Sequence, residues 1–141
     1  MATQAIVTLT LASLDLRRTP NDRLLARLGK FQPVGAYDTP VNVAELAPTA
    51  RDDLRAAARV GRIVTRAARL LPWHPSCLRQ SLATRWLLAR RGIDSMMLLG
   101  VSDPSNMNAH AWITVHGHTV VGRQARTFTP VAAIRRDPRR A

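Results

Sequence analysis

Pro75-Ser76-Cys77-Leu78-Arg79-Gln80-Ser81-Leu82-Ala83-Thr84-Arg85-Trp86-Leu87-Leu88 reads as a helix that opens at a thiol. The pattern predicts a helix from about Cys77 to Arg91, stopped at Gly92, a residue suited to the left-handed conformation after a helix. Leu78, Leu82, Trp86 and Ala89 make one apolar stripe, with Trp86 read as core. Cys77, Ser81, Thr84 and Leu88 share the adjacent face. Further on, Ala109-His110-Ala111-Trp112 begins a strand that alternates through Val115. It puts His110, Trp112 and Thr114 on one side and Ala111, Ile113 and Val115 on the other. A cysteine at a helix start and a histidine on a strand are the two parts of a cysteine acyl-transfer site.

Outward from this pair the elements mix helix and strand, which gives an α+β class. Upstream, Ala47-Pro48-Thr49 opens a long helix, and Thr49 with Asp52 resembles a capping box. Val60, Ile63, Val64, Ala67, Leu70 and Leu71 follow the helical apolar rule, while Arg59, Arg62, Arg66 and Arg69 lie largely on other faces. Pro72 ends that helix. Residues 5–16 fit either a strand or a helix. Thr19-Pro20-Asn21-Asp22 begins a short helix through Leu28. Residues 31–47 read as a loop with a short turn. Downstream, Ile93 to Val101 is expected as a strand, its near-continuous apolar run from Ser95 buried on both faces. Ser102 to Asn106 is a loop. His116-Gly117-His118 turns a hairpin into Thr119-Val120-Val121. Thr127 to Val131 adds a last edge strand, and the basic tail is expected to fray.

At 141 residues, 46% of them hydrophobic, the chain is long and apolar enough for one cored domain. No apolar run reaches the roughly 18 residues of a membrane span. The N-terminus has no charged segment of the secretory kind. A single cysteine forms no internal disulfide, which suits a reducing cytoplasm. The formal net charge is +12, from 21 Lys+Arg against 9 Asp+Glu, and only Lys30 is a lysine. That balance attracts nucleic acid, anionic lipid or an acidic peptide. Arginine replacing lysine alongside many alanines is equally what a GC-rich bacterial genome produces, and the arginines are dispersed. No membrane partner is expected, and a dedicated nucleic-acid role is disfavoured.

The thiolate is the nucleophilic form of cysteine. Unpaired N–H groups at a helix N-terminus favour an anion, and Ser76 is a good capping residue that would put Cys77 in the first turn. The imidazole of His110 takes the thiol proton and later gives it to the leaving amine. The first-turn N–H groups suit a tetrahedral oxyanion. The plain alternatives are a cysteine that is only a small buried hydrophobe and a histidine that only bonds a carbonyl. His116 and His118 read as hairpin-tip residues rather than ligands, because no carboxylate lies near them and the spacing suits zinc poorly. No metal and no cofactor is expected. Trp73 and Trp112 read as core or pocket walls.

Cys77 to Ala83, Leu87 to Ile93, Leu99-Gly100-Val101, Ala109-His110-Ala111-Trp112 and Thr127 to Ala132, in that order, resemble the lasso-peptide biosynthesis leader peptidase. That family belongs to the transglutaminase-like cysteine-protease superfamily. The resemblance covers residues 73–134. Length and pattern give one domain over residues 1–141, with a mainly helical part over 1–72 and a basic tail over 135–141, and the resemblance implies a transglutaminase-like, papain-like core over 73–134. In that core the cysteine helix packs on a small antiparallel sheet carrying the histidine. The resemblance gives Cys77 the nucleophile role and His110 the general acid/base role. It implies a cytoplasmic cysteine peptidase that removes the leader from a ribosomally made lasso precursor peptide before macrolactam formation. The implied partners are the precursor, a lasso macrocyclase and a leader-recognition protein. The last is expected as a separate chain, because the residues before Cys77 lack a winged-helix strand pattern.

The chain departs from the family at the third catalytic member. Relatives usually place an aspartate about a dozen residues after the histidine, and here Gly122 stands there. Gln124, a backbone carbonyl or a carboxylate from elsewhere, such as Asp103, are the alternatives for orienting the ring. Two other functions fit the same residues. One is acyl transfer to an amine, which runs through the same thioester. The other is a non-catalytic basic module that binds peptide or nucleic acid.

Overall fold

The first helix, α1 (Ala2–Arg18), settles the ambiguity of the N-terminal stretch. Ala5, Leu9 and Ala12 recur at helical spacing and are fully buried. The hydroxyls of Thr8, Thr10 and Ser13 donate to the carbonyls four residues back, at 2.6, 2.9 and 2.8 Å. Hydroxyl residues thereby find partners within the helix itself. The computed structural model describes residues 1–18, 30–32, 40–102, 109–122 and 128–135. The expected short helix after Thr19, the loop around Asp103, Gln124 and the tail beyond Arg135 lie outside them.

The long helix α2 (Pro48–Leu70) starts with proline at its first turn, where the missing N–H costs nothing. Ala47 is the capping residue, so the expected Thr49–Asp52 capping box does not form and Thr49 lies inside the helix. The helix ends at Leu71, before Pro72. Its buried stripe is Ala57, Val60, Gly61, Val64, Ala67 and Ala68, while Leu70 is 77% exposed and off the stripe. The small residues let α2 approach the sheet closely. A Cβ on Gly61 would run into the carbonyl oxygen of Val120.

The cysteine helix, α3 (Cys77–Ala89), stops before Gly92, whose φ is +71°. Ser81, Thr84 and Leu88 are fully buried, and the Ser81 hydroxyl donates to the Ala111 carbonyl at 3.1 Å. That bond pins the cysteine-bearing face to the sheet. Trp86, expected in the core, is exposed instead. It lies two positions from both Thr84 and Leu88, about 200° around the helix from each.

Five strands form one antiparallel sheet: β1 (Lys30–Gln32), β2 (Met96–Val101), β3 (Ala109–Val115), β4 (His118–Val121) and β5 (Thr129–Arg135). The spatial order is β1-β5-β2-β3-β4. This confirms the α+β class. Two expectations need correction. β1 falls in a stretch read as loop, because three residues are too few to show alternation. β5 is an inner strand between β1 and β2, not an edge. Pro130 lacks an N–H and so suggests an edge, but a register shift at Leu99/Gly100 of β2 accommodates it opposite Gly100. Arg135, expected in a frayed tail, closes β5 and pairs with Asp94 at 2.9 Å.

The helices cover one face of the sheet. Ala111, Ile113 and Val115 join Met97 and Ile134 in the core beneath them. Leu98, Trp112 and Ala133 form a second cluster on the opposite face, with Met96 and Phe128 against it. β2 is therefore buried on both sides, as its apolar run predicts. The hairpin turns on His116 and Gly117, with φ of 50° and 77°, the two positive values a two-residue turn of this twist requires. His118 Nε2 lies 2.7 Å from the Val41 carbonyl. The hairpin-tip histidine thus ties down the segment that leads into α2.

Candidate active site

The connection between α2 and α3 is short, and His74 within it has φ 39°. Its N–H donates to the Leu71 carbonyl at 3.1 Å. This turn delivers Cys77 directly at the start of α3, where the thiol is half-buried against the main core. Ser76 takes the capping position but its side chain makes no capping bond. The Gln80 N–H is bonded to the Ser76 carbonyl at 3.0 Å, and the Gln80 side chain reaches the Pro75 carbonyl at 2.8 Å. The N–H groups of Cys77, Leu78 and Arg79 precede that first helical bond, so the helix itself offers them no acceptor. They are the donors that a developing oxyanion needs.

His110 stands near the start of β3, opposite Gly100. Its ring stacks with two others, with centroids 5.9 Å from Trp112 and 4.8 Å from Phe128. Trp112 is fully buried and anchors the stack, whereas Trp73 is exposed. His110 Nε2 lies 3.2 Å from the Gly122 carbonyl oxygen. A carbonyl only accepts, so Nε2 carries the hydrogen in this bond. Nδ1 then keeps its lone pair in the neutral ring.

Cys77 and His110 line one cleft of about 690 Å³. Among the described residues no hydrogen bond joins them. α2 forms one wall of the cleft, and β4 with Gly122 forms another. Two further features complete the cleft. The Gly122 carbonyl occupies the place of the expected acid, which decides for the backbone carbonyl among the alternatives left open by the sequence. The second feature is the row Arg62, Arg66 and Arg69, all lining the cleft. Their spacing of four and then three residues is the signal, but it reads as a solvated face until α2 is docked. Among the described residues, no group of three or more His, Cys, Asp or Glu is gathered to hold a metal.

A family model described as the transglutaminase-like superfamily matches residues 16–133, which is most of the chain. The chain belongs to the transglutaminase-like superfamily. The matched span takes in α2 as well as the cysteine helix and the sheet. Membership carries cysteine-based acyl chemistry, of the peptidase or acyltransferase type. Comparison with curated proteins and with solved structures gave no match. No helix among the described residues is long and apolar enough to cross a membrane.

Proposed function

We propose that this transglutaminase-like protein is a cysteine peptidase that removes the leader from a ribosomally made lasso precursor peptide. The observation that carries the reading is the shared cleft of Cys77 and His110, with first-turn N–H groups that have no acceptor within the helix at the thiol and an acceptor behind the imidazole. The motif order from Cys77 to Ala132 supplies the substrate class.

In this mechanism the Cys77 thiol gives its proton to His110 Nδ1 and the sulfur attacks the scissile carbonyl carbon. A C–S bond forms, and the carbonyl oxygen becomes an oxyanion held by the first-turn N–H groups of α3. As the oxyanion collapses, the C–N bond breaks and His110 protonates the leaving amine. The amine is the new N-terminus of the core peptide, and the leader remains as a thioester on Cys77. Water then attacks the thioester while His110 accepts its proton. The thiol is regenerated and the leader departs with a free carboxylate.

The test is to incubate the purified protein and a separate leader-recognition protein with the lasso precursor, and to weigh the products. Two fragments whose masses sum to precursor plus one water mark hydrolysis. A cross-linked amide without added water marks acyl transfer to an amine. Cleavage that persists in Cys77→Ala would remove the nucleophile from the mechanism.

A further inference from the structure

The cleft beside Cys77 has a cationic wall. Arg62, Arg66 and Arg69 all line it, all three are exposed, and none has an ion pair among the described residues. Among the described residues, no Asp or Glu lines the cleft. The acids of α2, Asp52 and Asp53, sit near its other end. A helix face that serves only solubility mixes both signs, because like charges one turn apart repel. Here three guanidinium groups stand in a row over the groove that leads to the thiol. The row fits an anion.

We infer that the Arg62–Arg66–Arg69 ridge is a specificity element that takes an acidic segment of the peptide substrate. The inference rests on the peptidase reading only for the substrate being a peptide. Arg62 and Arg66 are one turn apart along α2, a rise of about 6 Å. Alternate side chains of an extended chain project on one side every 6–7 Å or so. An extended peptide with Asp or Glu at every second position therefore presents carboxylates at about the spacing of Arg62 and Arg66. Guanidinium groups pair with carboxylates in two parallel hydrogen bonds, which adds direction to the charge attraction.

The experiment measures binding, so it does not depend on turnover. The full-length Cys77→Ala protein is titrated into a fluorescein-labelled dodecapeptide of alternating Glu and Gly, and into the same peptide with Gln for Glu. The expected result is about tenfold tighter binding of the Glu peptide at low salt, shrinking as NaCl is raised to about 0.5 M. Arg62→Ala with Arg66→Ala removes the preference. Arg59→Ala with Arg90→Ala, which lowers the net charge equally but away from the cleft, leaves it within about twofold. Arg66→Gln alone gives a partial loss and serves if the double variant does not fold. Equal binding of the two peptides overturns the inference. So does an equal loss in the two double variants, which would mean a diffuse field. Tight binding of a single-stranded oligonucleotide with the same dependence on Arg62 and Arg66 overturns it in favour of a nucleic-acid site. If the ridge binds acidic peptide but wild-type protein cleaves no precursor, the peptidase reading fails and the binding site stands.

Discussion

The Nε2 of His110 points at the carbonyl oxygen of Gly122, 3.2 Å away and 12 residues further along the chain. In the proposed mechanism this backbone carbonyl does what an aspartate does in the relatives that the sequence resembles, holding one ring nitrogen and leaving the other for chemistry. The substitution is not a simple loss of a side chain. Gly122 has φ +85°, and a Cβ on it would lie 2.7 Å from Trp112 Cβ and 3.0 Å from the Ala111 carbonyl oxygen. The position is shaped for a bare backbone.

Restoring an acid at this place is therefore expected to harm the protein. Gly122→Asp and Gly122→Ala each combine a strained backbone with a close contact, at a cost of about 2 kcal/mol or more. Precursor cleavage falls in both, measured as kcat/KM beside a urea unfolding curve. Nitrogen NMR of the His110 ring reports the Nε2–H tautomer in the wild type. A Gly122→Asp protein that folds normally and cleaves faster than wild type would show that the carbonyl is a poor substitute and not a built feature.

Removing the thiol or the imidazole separates chemistry from folding. Cys77→Ala is expected to lower precursor cleavage by more than about a thousandfold. His110→Ala should lower it by about a hundredfold to ten-thousandfold, the usual range for a general acid/base. The Cys77 change removes little buried volume, so its thermal unfolding should stay near wild type. Calorimetry on the same samples checks this. Retained cleavage in either variant contradicts the assignment.

The arginine ridge also predicts how the thiol meets small reagents. Cys77 is the only cysteine, so alkylation reads one site. Iodoacetate carries a negative charge and iodoacetamide does not. The ratio of their rates at Cys77, divided by the same ratio for N-acetylcysteine amide, should exceed one by about fivefold at low salt. It should fall towards one in Arg62→Ala/Arg66→Ala/Arg69→Ala. A ratio of one in the wild type means the ridge exerts no field at the sulfur.

Gly61 controls whether the ridge stands over the cleft at all. Any side chain there meets the Val120 carbonyl, which belongs to β4 backbone and has no easy retreat. Gly61→Ala is expected to cost about 1–3 kcal/mol as overpacking, despite alanine's better helix propensity. Urea unfolding measures the cost. A stability equal to or above wild type would mean that α2 does not press on β4 as described.

Much of the arrangement is legible in local pattern. The cysteine helix, its glycine stop, the alternation of β3 and the hairpin at His116-Gly117 all follow from short-range periodicity and turn chemistry. Other parts are not. Three residues of β1 carry no period, and the capping role passes from Thr49 to Ala47 because Pro48 already begins α2. The helical stripe of α3 predicts a buried Trp86; Leu82 of that stripe is buried with Ser81 and Thr84, but Trp86 is exposed.

The amino-acid order by itself determined the class of elements, the thiol at a helix start and the histidine on an alternating strand. These depend on neighbours a few residues apart, where side-chain period and backbone sterics decide. Only the tertiary structure decided what stands behind the histidine and what walls the cleft. The Gly122 carbonyl meets His110 because β4 folds back along β3. The arginines reach the cleft because Gly61 lets α2 lie close against β4. A backbone carbonyl has no letter in a sequence, and a charged helix face acquires its direction only when the opposite face is buried.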